Sequence, residues 1–244
     1  MRIALLAFAS ASDILGAAET VVELPAPTTL AGLKTLLEGR HPQLAGLWSR
    51  LAIAVNGDLR PDDTALRDGD EVALLPPVSG GSDRADGGPG GADPTAVLTE
   101  EPIDSGEILR RVAHPTCGAV VLFAGTVRAS HRGRTVERIT YSAYRAMAGD
   151  RLREIAARLE RRYPGARVAI VHRLGEIAVG EPSVLIAVAS PHREAAYAAS
   201  REALERLKAE VPIWKREHYT GGESSWREEE SLVVTPAAPS REQG

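Results

Sequence analysis

The chain is divided by a glycine-rich stretch, SGGSDRADGGPGGADP, that occupies residues 79–94. It holds six of the 23 glycines in the 244 residues and no large apolar side chain. This composition is typical of a flexible linker, because such a segment cannot bury enough apolar surface to fold. At about 150 residues per domain, the division predicts two domains, with a flexible linker over 82–96 and a flexible tail over 236–244.

The overall composition excludes several classes of protein. Hydrophobic residues make up 43% and charged residues 25%, as in soluble globular domains, and no apolar run reaches the roughly 18 residues of a membrane span. The single cysteine, Cys117, excludes an internal disulfide and a cysteine-built zinc site, and it fits a reducing cytoplasm. We find no P-loop, Rossmann or metalloprotease motif and no basic face with interleaved aromatic residues. We therefore expect no metal site, membrane span or nucleic-acid partner.

The first 81 residues have the pattern of a small mixed sheet with one long helix. Thr29 is a helix cap, the leucines that follow it keep helical spacing, and Asn56-Gly57 is a strong hairpin signal. Strands are predicted over 1–8, 20–24, 51–55 and 71–75, with a short turn or helix over 12–16. This order is the β-grasp, or ubiquitin-like, pattern.

The first segment ends in Gly80-Gly81, directly after a stiffening Pro-Pro pair. A glycine arm of this kind is slender enough to enter a narrow tunnel, and it lets the backbone approach a reactive centre closely. Two glycines are more often a simple turn, and similar pairs occur at 87–88 and 90–91. The pattern alone leaves both interpretations open.

The second segment alternates strands and helices, which predicts an α+β domain. Strands are predicted over 118–123, 136–144, 167–172, 183–189 and 213–219. A glycine-containing loop over 125–134 carries Arg128, and loops at strand ends often hold ligand-binding residues. Helices are predicted over 146–163 and from a Ser190-Pro191 start, with Ser190 as the cap and Pro191 in the first turn.

Anion binding is predicted where the second of these helices starts. His192 and Arg193 lie in its first turn, where free backbone N–H groups attract negative charge and both side chains can bind a phosphate. A solvated first turn is an equally good interpretation, and Arg128 alone is most simply a surface residue.

Lysine is rare in this chain. Of its 29 basic residues 26 are arginine, and the lysines are Lys34, Lys208 and Lys215. Arginine replaces lysine wherever only charge is needed, but not where an amine must lose a proton. A tight reversal at Pro212 would bring Lys208 and Lys215 into one pocket and lower their pKa values toward the acid–base range. Trp214 and Trp226 would then provide a wall for a flat ring.

Four stretches of the second segment resemble a known family. They are GAVVLFAGTVR (118–128), RVAIVHRLGEIAVGE (167–181), ASPHR (189–193) and LKAEVPIWKRE (207–217). In this order they resemble the large, catalytic subunit of the molybdopterin synthase family, over residues 97–235. Residues 1–81, with the ending PPVSGG, resemble its small subunit, a ubiquitin-like sulfur carrier.

The resemblance implies a reaction, a substrate and an assembly. The carrier brings sulfur as a thiocarboxylate on its last glycine, and two transfers to cyclic pyranopterin monophosphate make the molybdopterin dithiolene of the molybdenum cofactor. Lys208 and Lys215 match the family's active-site lysines, while Arg128, His192 and Arg193 match its phosphate-binding residues. An adenylating and sulfurating enzyme, a homodimer through the catalytic domain and no tightly bound cofactor are also implied.

One departure from the family matters for the mechanism. In the separate small subunit Gly-Gly is the C-terminus, whereas here Gly81 is bonded to Ser82 and its carboxyl group cannot be charged. We therefore expect a protease to cut after Gly81, since exposed linkers are easily nicked. Two alternatives stay open: a non-catalytic scaffold that docks a ubiquitin-like domain, and a sulfur carrier for another pathway, such as thiamine or cysteine synthesis.

Overall fold

A computed structural model describes residues 1–77 and 95–227. Gly80, Gly81, the tail over 236–244 and nearly all of the predicted linker lie outside the described residues. The first domain contains, in order, β1 (Arg2–Ala7), α1 (Ala9–Leu15), β2 (Glu19–Glu23), α2 (Leu30–Arg40), a 3₁₀ helix (Pro42–Gly46), β3 (Ala52–Val55), β4 (Asp58–Leu59) and β5 (Glu71–Leu75).

The first domain is the predicted β-grasp. Its sheet has the order β2-β1-β5-β3-β4, with β1 and β5 parallel and the other pairs antiparallel. Helix α2 starts at the Thr29 cap, and its buried leucines pack on Leu5 and Leu74 of the sheet. The opposite face of the sheet carries small side chains, including Ala54 and Ala73, and is available to a second domain.

Within residues 95–227, the second domain contains two sheets and three helices. Its elements are β6 (Ala96–Thr99), α3 (Ser105–Val112), β7 (Ala119–Thr126), β8 (Ser130–His131), β9 (Arg134–Ala143), α4 (Arg145–Arg162), β10 (Arg167–Arg173), β11 (Gly175–Ala178), β12 (Pro182–Ser190), α5 (Arg193–Glu210), β13 (Ile213–Tyr219) and β14 (Ser224–Trp226). None of the helices in the described ranges is long and apolar enough to cross a membrane.

The two sheets of this domain support different parts of it. The first, β6-β10-β12-β7, carries the main core, with α4 and α5 on one face and α3 on the other. The second, β11-β9-β13-β14 with the short β8 paired to β9, extends from it and holds the candidate site. This arrangement confirms the predicted α+β class.

The predicted cap of α5 is wrong by two residues. Ser190 is buried at the end of β12, where it pairs with Ala119 of β7, and the N-cap is His192. Sheet pairing therefore extends the strand through a residue type that favours caps. His192 and Arg193 still lie at the start of the helix, so the reason for singling them out is unchanged.

Candidate functional site

The two domains share a buried apolar interface. It joins Ala54, Ala73 and Leu75 on the outer sheet face of the first domain to Tyr144, Met147 and Trp214 of the second, and none of the six is more than 7% exposed. The small alanines allow the large rings to approach the sheet closely. Apolar burial of this kind, more than charge, therefore holds the domains together.

Trp214 lies at the centre of this interface and not in a ligand pocket. Its ring stacks on Phe8 at 4.8 Å between centroids, and its indole N–H donates to the Pro76 carbonyl at 3.0 Å. Beside it, the Tyr144 hydroxyl donates to Glu71 at 2.6 Å. Burial and this hydrogen bond raise the pKa of Tyr144, so the phenol remains a donor.

Charged groups lie at the rim of the interface. Asp13 of α1 accepts hydrogen bonds from Arg216 at 3.3 Å and from the Trp226 indole at 3.0 Å. Trp214 and Trp226 thus contact the first domain instead of forming the predicted wall for a flat ring. These exposed groups add a charged contact beside the apolar centre.

A pocket of about 120 Å³ opens on the other face of β13. Because side chains alternate along a strand, Lys215 and Glu217 point away from the interface that Trp214 and Arg216 face. The pocket is smaller than the roughly 300–1,000 Å³ of a complete small-molecule site. Its lining residues are Thr126, Arg128, Ser130, His131, Val136, Ile139, Tyr141, Lys215 and Glu217.

Glu217 is a buried carboxylate with two donors. The Tyr219 hydroxyl donates to its Oε2 at 2.7 Å and Arg227 Nε at 2.9 Å. Burial alone raises the pKa of Glu217, but these hydrogen bonds and the charges of Arg227 and His131 outweigh burial and hold the pKa below its usual value. The pocket therefore contains a fixed negative charge beside the Lys215 amine.

The opposite wall of the pocket carries Arg128 and His131. Arg128 is exposed, and its Nη2 lies 3.4 Å from Nδ1 of His131. The same Nδ1 lies 3.9 Å from Glu217 Oε1. Arg128 thus presents unused N–H donors to the opening, as a phosphate-binding residue must.

The pocket contains only part of the predicted site. Arg128 and Lys215 line it, whereas Lys208 is exposed in the last turn of α5. His192 and Arg193 lie at the other end of that helix, and 15 residues at 1.5 Å per residue separate Arg193 from Lys208 by about 22 Å. One copy of the chain therefore does not bring both ends of α5 to this pocket.

Seven of the nine lining residues were not predicted from the sequence, and Tyr141, His131 and Glu217 are the titratable residues among them. Alternation along the predicted strand 213–219 places Glu217 on the same face as Lys215, so this pattern was a usable signal. Tyr141 is opposite Lys215 in the β9–β13 register, and that pairing depends on long-range contacts.

Known families resemble both domains. Residues 98–210 match the family described as MoaE protein, and residues 5–81 match the ThiS family. The order along the chain is that of the two domains described above.

Individual relatives of the second domain are similar over most of their own length. The molybdopterin synthase catalytic subunit of Halalkalibacterium halodurans is 44% identical over 127 residues, which are 52% of this chain and 81% of that protein. The same-named protein of Culex quinquefasciatus is 46% identical over 57% of this chain and 91% of its own length. A crystal structure of molybdopterin synthase from Staphylococcus aureus superposes with a TM-score of 0.53 at 38% identity, covering 55% of this chain and 98% of that one.

Proposed function

The chain belongs to the molybdopterin synthase family, with catalytic and carrier domains in one polypeptide, and we propose that sulfur is transferred in the pocket lined by Arg128 and Lys215. The enzyme is a sulfurtransferase of molybdenum cofactor biosynthesis. The proposal concerns which residues act and how the two domains cooperate.

The observation that carries the proposal is the position of Trp214 beside Lys215 on β13. Trp214 holds Pro76, the first residue of the arm that ends in Gly81, while Lys215 lines the pocket on the other face. Five residues separate Pro76 from Gly81, and at about 3.3 Å per residue they reach up to about 16 Å. We propose that this reach lets Gly81 pass from the face of β13 that carries Trp214 to the pocket that Lys215 lines.

The residues of the pocket fit the chemistry of the transfer. Arg128 provides N–H donors for the phosphate of cyclic pyranopterin monophosphate, and Lys215 provides an amine that can hold or move a proton next to the thiocarboxylate. The buried carboxylate of Glu217 keeps a negative charge beside the Lys215 amine. We assign Lys208 to the same function through the family motif, with its position in the last turn of α5 leaving its amine exposed.

Sulfur transfer by the protein cleaved after Gly81, charged on its carrier and mixed with cyclic pyranopterin monophosphate, tests the role of Lys215. Lys215→Ala should lower single-turnover transfer by about 10²–10⁴-fold, and Lys215→Arg should not restore it, because arginine keeps its proton. Lys34→Ala, on the carrier helix, is the matched control and should transfer at the parent rate. A Lys215→Ala protein with parent activity would favour the scaffold interpretation and contradict the proposal.

The carrier must have a free carboxyl group at Gly81, so we also propose cleavage after Gly81, followed by charging by an adenylating and sulfurating enzyme of the cytoplasm. The sulfur then arrives on the carrier itself, and no tightly bound cofactor is required. Intact mass of the protein purified from its native host tests the cleavage. An uncut and fully active chain would contradict it.

Completing the site requires a second copy of the chain. Strand β7 is at an edge of the described sheet, and Val120 and Leu122 on it are 49% and 36% exposed. His192 and Arg193 follow the residues paired with the start of β7, whereas Arg128 follows its end. Antiparallel pairing of two β7 strands about a twofold axis would place the partner's His192 and Arg193 beside this Arg128.

Mixing two inactive variants tests this shared site. Lys215→Ala and Arg193→Ala chains combined should recover activity, because each mixed dimer contains one intact site. If half of the dimers are mixed, recovery reaches about one quarter of the parent activity. Lys215→Ala with Arg128→Ala is the control and should stay inactive, since each site of the mixed dimer then lacks one pocket residue. No recovery in the first mixture would contradict the shared site.

A further inference from the structure

His131 Nδ1 lies between two groups with opposite requirements. Arg128 Nη2 is 3.4 Å away and Glu217 Oε1 is 3.9 Å away. A guanidinium only donates, so Nδ1 must be unprotonated to accept from it. A carboxylate only accepts, so Nδ1 must carry a proton to bind Glu217. The two contacts therefore belong to different protonation states of the same nitrogen.

The carboxylate that faces His131 is fixed in position. Glu217 is 3% exposed, and the donors Tyr219 and Arg227 both use its Oε2, which leaves Oε1 directed toward His131. The donor side is exposed and can turn to another partner, because Arg128 lies at the pocket opening. Whether Arg128 has bound another partner thus determines whether Nδ1 contacts Arg128 or Glu217.

We propose that His131 couples the capture of an anion by Arg128 to the uptake of one proton. This inference depends on the proposed function, which assigns Arg128 to the substrate phosphate. When an oxyanion takes the N–H donors of Arg128, Nδ1 loses its donor, accepts a proton from solvent and forms an ion pair with Glu217 Oε1. The added negative charge favours the imidazolium further.

The charged neighbours of His131 determine how strongly the proton is held. Arg128 and Lys215 oppose protonation, and an anion between them neutralises both. Glu217 favours it. Arg134, paired with His131 in the β8–β9 hairpin, also bonds Glu223 and covers the Tyr219 ring, which directs its charge away. Tyr141 remains a neutral phenol, since burial raises its pKa. His131 thus acts as a positioning residue, through Arg128, and gains positive charge as an anion binds.

Sulfate is a suitable probe, because it does not titrate between pH 6 and 8 and any proton taken up belongs to the protein. Calorimetry of sulfate binding to the full chain, in two buffers with different heats of ionisation, counts the protons. We expect uptake of up to one proton per site and binding that tightens as pH falls, by at most about tenfold per pH unit for one linked proton. His131→Asn should bind sulfate with little pH dependence, and Glu217→Gln should take up fewer protons.

His218→Asn is the matched control, because His218 lies on β13 but faces away from the pocket and contacts Thr140. It should keep the full pH dependence. Equal pH dependence in the parent and in His131→Asn would overturn the coupling while leaving the role of Arg128 intact. Sulfate binding that is unchanged in Arg128→Ala, or absent from the parent, would overturn both the coupling and the phosphate assignment.

Discussion

The Trp214 indole donates a buried hydrogen bond to the carbonyl of Pro76, 138 residues away in the sequence and in the other domain. This one contact holds the start of the carrier arm against the strand that also carries Lys215. The neighbouring stack of Trp214 on Phe8 buries the same ring from the carrier side. Docking of the two domains therefore also holds Pro76 in place.

Replacing Trp214 with phenylalanine should loosen the docked state. The change leaves the Pro76 carbonyl buried without its donor, which costs about 1–3 kcal/mol, and about 1.4 kcal/mol is already a tenfold change in the docking equilibrium. A cysteine at Ala54, which is 0% exposed in the interface, reports undocking by its rate of thiol labelling in a Cys117→Ser background. We expect labelling in Trp214→Phe to be about tenfold faster than in the parent.

Trp48→Phe is the control for this measurement. Trp48 packs against the carrier's own core and not against the second domain, so its replacement should leave the labelling rate unchanged. If Trp214→Phe labels at the parent rate, the hydrogen bond to Pro76 does not contribute to docking.

The contacts of Asp13 should stabilise docking of the two domains less than the Trp214 hydrogen bond does. Their contribution should depend on salt. The side chains of Asp13 and Arg216 are 47% and 34% exposed, and exposed pairs contribute about 0.2–1 kcal/mol. Asp13→Asn should therefore raise the same labelling rate less than about fivefold at low ionic strength. The difference should nearly disappear at about 1 M salt, where charges are screened within about 3 Å. A larger, salt-independent effect would mean that the Trp226 hydrogen bond, not the charge, is the important contact.

Much of the fold follows from local sequence. Strands β5 and β13 match the predicted residues, because a turn or a proline bounds each of them on the outside. Helix α3 is not predicted, although it has eight residues. The short strands β6, β11 and β14 are not predicted either, since each has three or four residues and depends on pairing with another strand. The extension of β12 through Ser190 has the same cause, a partner on β7 that no local pattern reveals.

The site was predicted in parts and not as an assembly. Arg128 and Lys215 line one pocket, but Lys208, which the reversal at Pro212 was expected to bring beside Lys215, does not line it. The role of Trp214 was missed, because an indole at a domain interface and one lining a ligand site look alike in sequence. Arg193 and Lys208 lie at opposite ends of α5, so the predicted phosphate-binding residues and lysines do not all meet within one chain.

Glu217→Gln should destabilise the second domain at neutral pH and much less in acid. The folded-state pKa of Glu217 is lowered, so its contribution is present above the unfolded value of about 4.3 and is lost as pH falls through the folded pKa. Removing one partner of a buried pair costs about 3 kcal/mol, since Arg227 stays mostly buried. Urea midpoints at pH 7 and pH 3 measure the change. An equal loss at both pH values would show that packing, not charge, is responsible.

His172 should make the stability of the second domain depend on pH in a different window. It is 4% exposed, its Nδ1 lies 2.9 Å from the Arg173 carbonyl, and burial lowers its pKa to about 4. The unfolded chain takes up this proton near pH 6.5 and the folded chain only near pH 4. The contribution of the neutral ring is therefore complete above pH 6.5 and is lost as pH falls toward 4, in total about 3 kcal/mol. His172→Phe keeps a ring against Tyr141 and should lose this dependence, whereas His114→Phe, at an exposed position, should retain it. Urea unfolding between pH 7.5 and 4.5 measures both, and parallel stability curves for the parent and His172→Phe would contradict the prediction.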